Sequence, residues 1–370
     1  MTHMKGYKDP RTVCHIDQLY AWKHGHFFPP VTVEISPVNL CNQKCLYCYS
    51  HGKSSGIARD KGLPKGLFTS IIRQCGDLGV GGILIQGTGE PLLHREIPDA
   101  FREAGACNLP VYLTTNGVLL DASLARDILP YTRVVRFSNV EPDKERYAYM
   151  HNCPAAHFDN VMANIENVVS LRKQSDLQVA LIASLYLEEG TLDRMVPYLK
   201  TLKAIGIDYV MVSEAIWTSG AFDATRNTGL HSLQEKKQHI EELLKEAESL
   251  RDETFSFNCK LGVLDAALTG HSSQSWKPYS CDGIKFYTTI CSDGEVYPCW
   301  RFWGVKQYSY GNLQKQSLAS ILQGQKAQEV YTHVSTVPPH SDECLVCGFV
   351  PLNSILNQLK AENDWKNFLI

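Results

Sequence analysis

The chain has 370 residues, 44% of them hydrophobic and 20% charged, with a net charge of −3; that is long for one average domain and enough for a substantial core. The near-neutral balance gives no basic footprint for nucleic acid, no apolar run approaches the ~18 residues of a membrane span, and the opening Met1-Thr2-His3-Met4-Lys5 carries no secretion signal. A cytoplasmic protein is expected, and in that reducing compartment its 13 cysteines point to metal or redox chemistry, not disulfides.

Residues 12–24 read as a short amphipathic helix, with Ile16, Leu19, Tyr20 and Trp22 on one side, and Pro29-Pro30 ends this lead-in. Residues 1–30 are expected to cap the first strand. From residue 31 to about 215, strand-like and helix-like stretches alternate. The strands are read at 31–35, 82–86, 111–114, 134–138, 177–185 and 209–212, with helices near 67–78, 97–106, 122–129, 158–172 and 192–204. Six β/α repeats with apolar strands predict an α/β fold, a parallel sheet covered by helices. Such sheets place their chemistry at the C-terminal strand ends. The marked residues fall there: a cysteine loop after the first strand, Glu90 after the second, Asn116 after the third and Ser138 after the fourth.

A loop at 213–231, rich in Gly, Thr, Ser and Asn, has the length of a lid or of a plain connector. Residues 232–250 read as a charged surface helix. A second module is expected from residue 252 to 350, with 31–251 as the first domain and 351–370 as a helical tail. In that module, strand 255–257 leads to Cys259, and 286–290 with 295–298 form a β-hairpin around Ser292-Asp293-Gly294. Helices follow near 317–322 and 327–333.

The sharpest motif is Cys41-Asn42-Gln43-Lys44-Cys45-Leu46-Tyr47-Cys48, a CxxxCxxC loop. Two spacings this short let one loop wrap its thiolates around one inorganic centre. A closed zinc or iron–sulfur site wants four protein ligands, so three leave one iron of a [4Fe–4S] cluster open. A Cys3His zinc site using His51, or three unrelated buried thiols, are the competing readings. With Tyr47 before the last cysteine, the loop resembles that of radical S-adenosylmethionine (SAM) enzymes, whose open iron is chelated by SAM. The resemblance implies a partial (β/α)6 TIM-like barrel.

Gly87-Thr88-Gly89-Glu90-Pro91 resembles the family's Gly-Gly-Glu-Pro-like motif, whose backbone binds the SAM amino group; Thr88 stands where the family often has glycine. By the same resemblance Asn116 and Ser138 are candidates for the SAM ribose and carboxylate, with Asn139 or Glu141 in the place of a family aspartate. Each also reads as a turn or cap residue.

Cys281, Cys299, Cys344 and Cys347 form a second set, because residues flanking a hairpin turn converge and Cys344-x-x-Cys347 adds a pair. A four-thiolate zinc ribbon is the alternative, and Cys291 competes with Cys281. The set resembles the SPASM extension and, more closely, its shortened twitch form with one auxiliary [4Fe–4S] cluster. Its spacing is very like that of the twitch enzyme that oxidises an aminocyclitol alcohol in butirosin biosynthesis.

The resemblance implies reductive cleavage of SAM to a 5′-deoxyadenosyl radical, fed by a flavodoxin- or ferredoxin-type donor, and hydrogen abstraction from a substrate C–H. The expected substrate is a small polyol, sugar or aminocyclitol, oxidised with the auxiliary cluster as electron acceptor. Glu141, Arg146, Tyr147 and Glu214, at or after the active ends of strands four and six, are candidates for helping the proton leave. A redox-neutral epimerase would need a hydrogen-donating thiol, for which Cys259 is the candidate. A peptide maturase is a further alternative; such enzymes commonly carry a leader-recognition domain, and about 30 residues precede the first strand. A zinc-binding protein without enzymatic activity is the last.

Overall fold

A computed structural model describes residues 14–48, 62–138, 141–187, 191–214, 236–260, 281–336 and 349–361. Apolar residues recurring at the helical period shape the outer layer. In α2 (Leu67–Leu78, after α1 at Ile16–Lys23), Phe68, Ile71, Ile72 and Cys75 are buried; in α3 (Ile97–Ala106), Ile97, Ala100, Phe101 and Ala104 are. Both sets follow the i, i+3, i+4, i+7 pattern of one helix face. Asp121 starts α4 (Ala122–Ile128) by accepting from the backbone N–H of Ser123 and Leu124, and Asp143 starts α5 (Lys144–His151) by accepting from Arg146 N–H. The longest described helix, α6 (Ala156–Gln174), buries Val161, Asn164, Ile165 and Val168, again on one face, and α7 (Met195–Ile205) and α8 (Lys237–Glu248) complete this run.

The strands are β1 (Thr32–Ile35), β2 (Gly82–Ile85), β3 (Val111–Thr115), β4 (Thr132–Phe137), β5 (Ala180–Leu187), β6 (Tyr209–Glu214), β7 (Ser256–Lys260), β8 (Tyr287–Ile290), β9 (Glu295–Tyr297) and β10 (Gly311–Asn312). They make one sheet in the order β10-β9-β8-β1-β2-β3-β4-β5-β6-β7. From β8 through β7 every pairing is parallel, and β9 and β10 add an antiparallel edge. The fold is the expected partial TIM-like α/β barrel, mixed and not closed.

Three features differ from the sequence reading. Strand β7, expected in the second module, pairs with β6 from Tyr209↔Ser256 to Ser213↔Lys260 and extends the barrel. Strand β8, read as one arm of a separate hairpin, also lies along β1 from Thr32↔Tyr287 to Ile35↔Ile290. The sheet therefore runs unbroken past residue 252, because β8 is a hairpin arm and a barrel strand at once. Helix α5 was not anticipated, since Lys144–His151 mixes charge and aromatic side chains without a clear apolar stripe; only its cap, Asp143, signals it.

Along β3 burial alternates, with Val111 and Leu113 fully covered while Tyr112 and Thr114 are partly open. The covered residues join the large apolar core under the helices. The other face carries Glu34, Thr114, Arg136, Tyr186 and Ser213, which line one cavity; it is the barrel lumen. The helices α9 (Leu318–Gln323), α10 (Gln325–Thr336) and α11 (Val350–Ala361) follow β10. Trp22 of α1 and Phe28 pack with Phe286 and Leu356 of α11 in a small separate cluster, and Val31 N–H donates to Phe286 O. The lead-in thus covers the start of β1, at the opposite end from the cysteine loop. Among the described residues no helix is long and apolar enough to cross a membrane.

Candidate active site

The cysteine loop leaves β1 and docks on the end of α5. Lys44 N–H donates to His151 O at 3.1 Å and Leu46 N–H to Met150 O at 2.8 Å, satisfying carbonyls that a helix end leaves open. Beneath it, Gln43 Nε2 donates to Tyr147 Oη at 2.8 Å, and His151 Nδ1 lies 2.9 Å from Gln43 Oε1 and 3.3 Å from Cys45 Sγ. Tyr147 stacks on His151 at 4.0 Å. On the other side Asn116 Nδ2 donates to Asn42 Oδ1 at 2.7 Å.

Cys41, Cys45 and Cys48 all line a cavity of about 560 Å³, within the range of ligand sites. Burial pushes the Cys41 thiol up to about 11, with Glu90 and Cys48 adding to the rise; Cys45 is raised further, by burial first and then by Cys48. Bare thiols so placed stay protonated, and a cationic centre is what would hold them as thiolates. Among the described residues no three His, Cys, Asp or Glu side chains converge on a point that a single metal ion could occupy. A cubane asks for something else, since each thiolate takes a different iron, and three thiols spaced around one cavity fit it.

The glycine loop after β2 packs against the start of the cysteine loop too closely for side chains. A Cβ on Gly89 would stand 2.3 Å from Leu40 O and 2.8 Å from Val38 O; one on Gly87 would stand 2.0 Å from Ser36 Oγ. Thr88 turns away from the cavity, its N–H donating to Ser36 Oγ at 3.1 Å. Glu90 is buried and already takes three donors, Thr115 Oγ1 at 2.6 Å, Asn116 N at 2.8 Å and Leu92 N at 3.1 Å. Burial raises its pKa while those donors hold it down. Glu90 therefore ties the loops after β2 and β3 together. Asn116 Oδ1 accepts from Val118 N at 3.0 Å, so one amide serves both its own turn and the cysteine loop.

Tyr47, Gly87, Gly89, Glu90, Pro91, Asn116 and Ser138 all line the cavity with the three thiols. Asn139 lies outside the described residues, as do His51, most of the 213–231 loop, Cys344 and Cys347. Of the candidates for handling a proton or donating hydrogen, four lie elsewhere. Tyr147 is fully buried beneath the cysteine loop. Glu141 is buried close enough to Tyr198 of the outer layer to add to the rise that burial gives that phenol. Arg146 reaches Met150 Sδ at 3.5 Å, and Cys259 packs on the apolar core from β7. Glu214 is the last residue of β6. Tyr147, Glu141, Arg146 and Cys259 are not among the cavity-lining residues.

The reading of the sequence missed the lumen wall. Glu34, Gln86, Thr114 and Arg136 enter the cavity from β1 to β4 or just beyond, Tyr186 and Ser213 from β5 and β6, and Trp300 and Trp303 from the second module. The one sequence signal was a polar residue next to apolar ones in each of three strands: Glu34, Thr114 and Arg136.

Cys281 precedes a turn capped by α11, where Asn353 accepts from Gly283 N at 2.8 Å and donates to Cys281 Sγ at 3.5 Å. After burial, the largest influences on the Tyr310 hydroxyl are Cys299 and Cys281, so these two thiols share a neighbourhood. Cys291 is buried, and after burial its thiol is raised by Asp293, Glu34 and Glu295.

Residues 35–183, which hold the cysteine loop and the glycine loop, match the radical SAM superfamily. The chain carries a radical SAM domain. Residues 281–348 match the SPASM iron–sulfur cluster-binding domain. Together these two domains imply a [4Fe–4S] cluster, SAM and an auxiliary cluster. It is 29% identical over 172 residues to a probable GTP 3′,8-cyclase of Methanocella arvoryzae, covering 46% of this chain and 53% of that relative, so it spans about half of that protein. It is 23% identical over 346 residues to the cysteine-type anaerobic sulfatase-maturating enzyme of Clostridium perfringens, covering 88% of both. Its fold is similar to that of Streptococcus suis SuiB bound to SAM, with a TM-score of 0.63 at 18% identity over 97% of this chain and 82% of that one. It is also similar to anSMEcpe bound to AdoMet, with a TM-score of 0.52 at 20% identity over 88% of each chain. These neighbours do not single out the aminocyclitol-oxidising type.

Proposed function

We propose that this chain modifies a side chain of a peptide or protein substrate by radical SAM chemistry. The observation that carries this reading is the alignment over 88% of both chains with a sulfatase-maturating enzyme. Supporting it, SuiB is also described with its precursor peptide SuiA, and its fold covers 98% of this chain.

When bound, the cluster and SAM supply a 5′-deoxyadenosyl radical that removes a hydrogen atom from a C–H bond. Cys41, Cys45 and Cys48 would hold the cluster. The backbone of Gly87–Pro91, with Asn116 and Ser138, would hold and orient SAM. Glu90 positions that backbone, and Tyr47 packs edge-on to Tyr186 at 4.8 Å on the cavity wall. The lumen wall would take the substrate, and Trp300 and Trp303 help to keep water out. Trp300 follows Cys299 directly, so the cavity and the second set of thiols share a wall. Cys281, Cys299, Cys344 and Cys347 would hold the auxiliary cluster.

The alcohol-oxidising alternative rests on the spacing from Cys281 to Cys347. One assay decides between the two. Anaerobically reconstituted enzyme with SAM and a flavodoxin- or ferredoxin-type donor is offered a peptide library or a set of polyols and aminocyclitols. Peptide mass changes that scale with 5′-deoxyadenosine are the expected result; carbonyl formation on a polyol, with unchanged peptides, overturns the proposal.

A further inference from the structure

Three long polar side chains form a connected row on the lumen wall. Glu34 of β1 is completely buried. Its Oε1 accepts from Gln86 Nε2 at 2.9 Å, and Gln86 Oε1 accepts from Arg136 Nη2 at 3.3 Å. All three, with Thr114, line the cavity that holds the cysteine loop. The row is incomplete. Glu34 Oε2, Arg136 Nε and Thr114 Oγ1 are buried and have no hydrogen-bond partner among the described residues. Leaving buried polar atoms unpaired is costly, and three in one cavity call for an account.

We propose that Glu34, Gln86 and Arg136, with Thr114, form a substrate-recognition row that takes a neutral amide, its N–H to Glu34 and its C=O to Arg136 or Thr114. Polarity selects the ligand. Gln86 is fixed by its two partners, nitrogen toward Glu34 and oxygen toward Arg136, so the row offers an acceptor at one end and a donor at the other. An ammonium group would suit Glu34 but meet the guanidinium, and a carboxylate would suit Arg136 but meet Glu34. A group carrying donor and acceptor side by side without net charge satisfies both ends, and an amide is such a group. This deepens, and rests on, the reading of the cavity as the place where a peptide is modified.

The test uses reconstituted holoenzyme with SAM and two probes followed by ligand-observed NMR, N-acetylglycinamide and myo-inositol. The wild type is expected to bind the amide. Glu34→Gln puts a donor where the row needs an acceptor, and Arg136→Lys removes the Nε donor; each is expected to weaken amide binding by about tenfold, one charged hydrogen bond. SAM affinity and iron content should stay at wild-type values, and Thr114→Val supplies a third variant should either of the others misfold. Unchanged amide binding in the variants overturns the proposal, as does binding of inositol in preference to the amide. A wild type that binds SAM but neither probe also overturns it, while leaving the radical reading in place. A wild type that binds no SAM brings down the radical reading itself.

Discussion

The two cysteine regions share one strand and are built in opposite ways. Cys41, Cys45 and Cys48 hang from the end of β1 on a single loop, and their supports come from two places, α5 through Gln43 and His151, and the turn after β3 through Asn116. Cys281 and Cys299 stand on either side of β8 and β9, and are brought to the barrel because β8 pairs along β1. The first region is a local wrap that the chain makes with eight consecutive residues; the second exists only once the sheet is assembled. The difference teaches that a loop built locally and a region built by strand pairing can meet at one cavity, which Trp300 and Trp303 line together with the three thiols.

The largest effects should separate the regions cleanly. Replacing Cys41, Cys45 and Cys48 together by alanine should abolish 5′-deoxyadenosine formation and lower iron from about eight to about four per chain, as two four-iron clusters require. Loss of all iron would mean that the second region depends on the first. Within the second region, Cys281→Ala should lower iron to about four, whereas Cys291→Ala should leave the count unchanged and cost about 1 kcal/mol from a small core defect. Iron and sulfide analysis reads both.

Next comes the strand that both regions share. Burial raises the Glu34 carboxyl from 4.5 to about 7, against a smaller opposing effect of the Gln86 hydrogen bond. A carboxyl raised on folding contributes fully below its unfolded value and loses that contribution as pH rises through its folded one. Wild-type stability should therefore fall between about pH 4.5 and 7 on this account. Glu34→Gln should remove the fall, leaving the variant more stable than wild type above pH 7 by up to about 3 kcal/mol. Urea titrations of both proteins at pH 5 and pH 8 measure it; equal gaps at the two pH values would contradict it. A comparable effect belongs to the close approach of the two loops. Gly89→Ala sets a methyl against Leu40 O and Val38 O, which are backbone and cannot swing away. It should cost about 1–3 kcal/mol by overpacking and weaken SAM binding, with the auxiliary iron untouched.

Much of this was readable because the signals were short-range. Helices α2 and α3 carry i, i+3, i+4, i+7 burial, and their bounds match the expected 67–78 and 97–106. The cavity-lining role of Gly87, Gly89, Glu90, Asn116 and Ser138 followed from one rule, that parallel sheets work at their C-terminal ends. The proton-handling candidates Glu141, Arg146 and Tyr147, and the candidate thiol Cys259, do not line the cavity, because position near a strand end does not say which way a side chain points. Tyr147 went under the loop and Cys259 packs against the core.

The sequence by itself determined that three thiols share one loop, since Cys41, Cys45 and Cys48 fall within eight residues. It also determined the β/α alternation, because helix and strand periods are local properties. Only the tertiary structure decided that β8 closes along β1 and that β7 extends the barrel. Only it decided that Glu34, Gln86 and Arg136, from three different strand positions, meet as one row. Pairing between distant strands depends on which edges remain free after folding, and a lumen exists only once those strands curve around it; neither is a property of any stretch of chain alone.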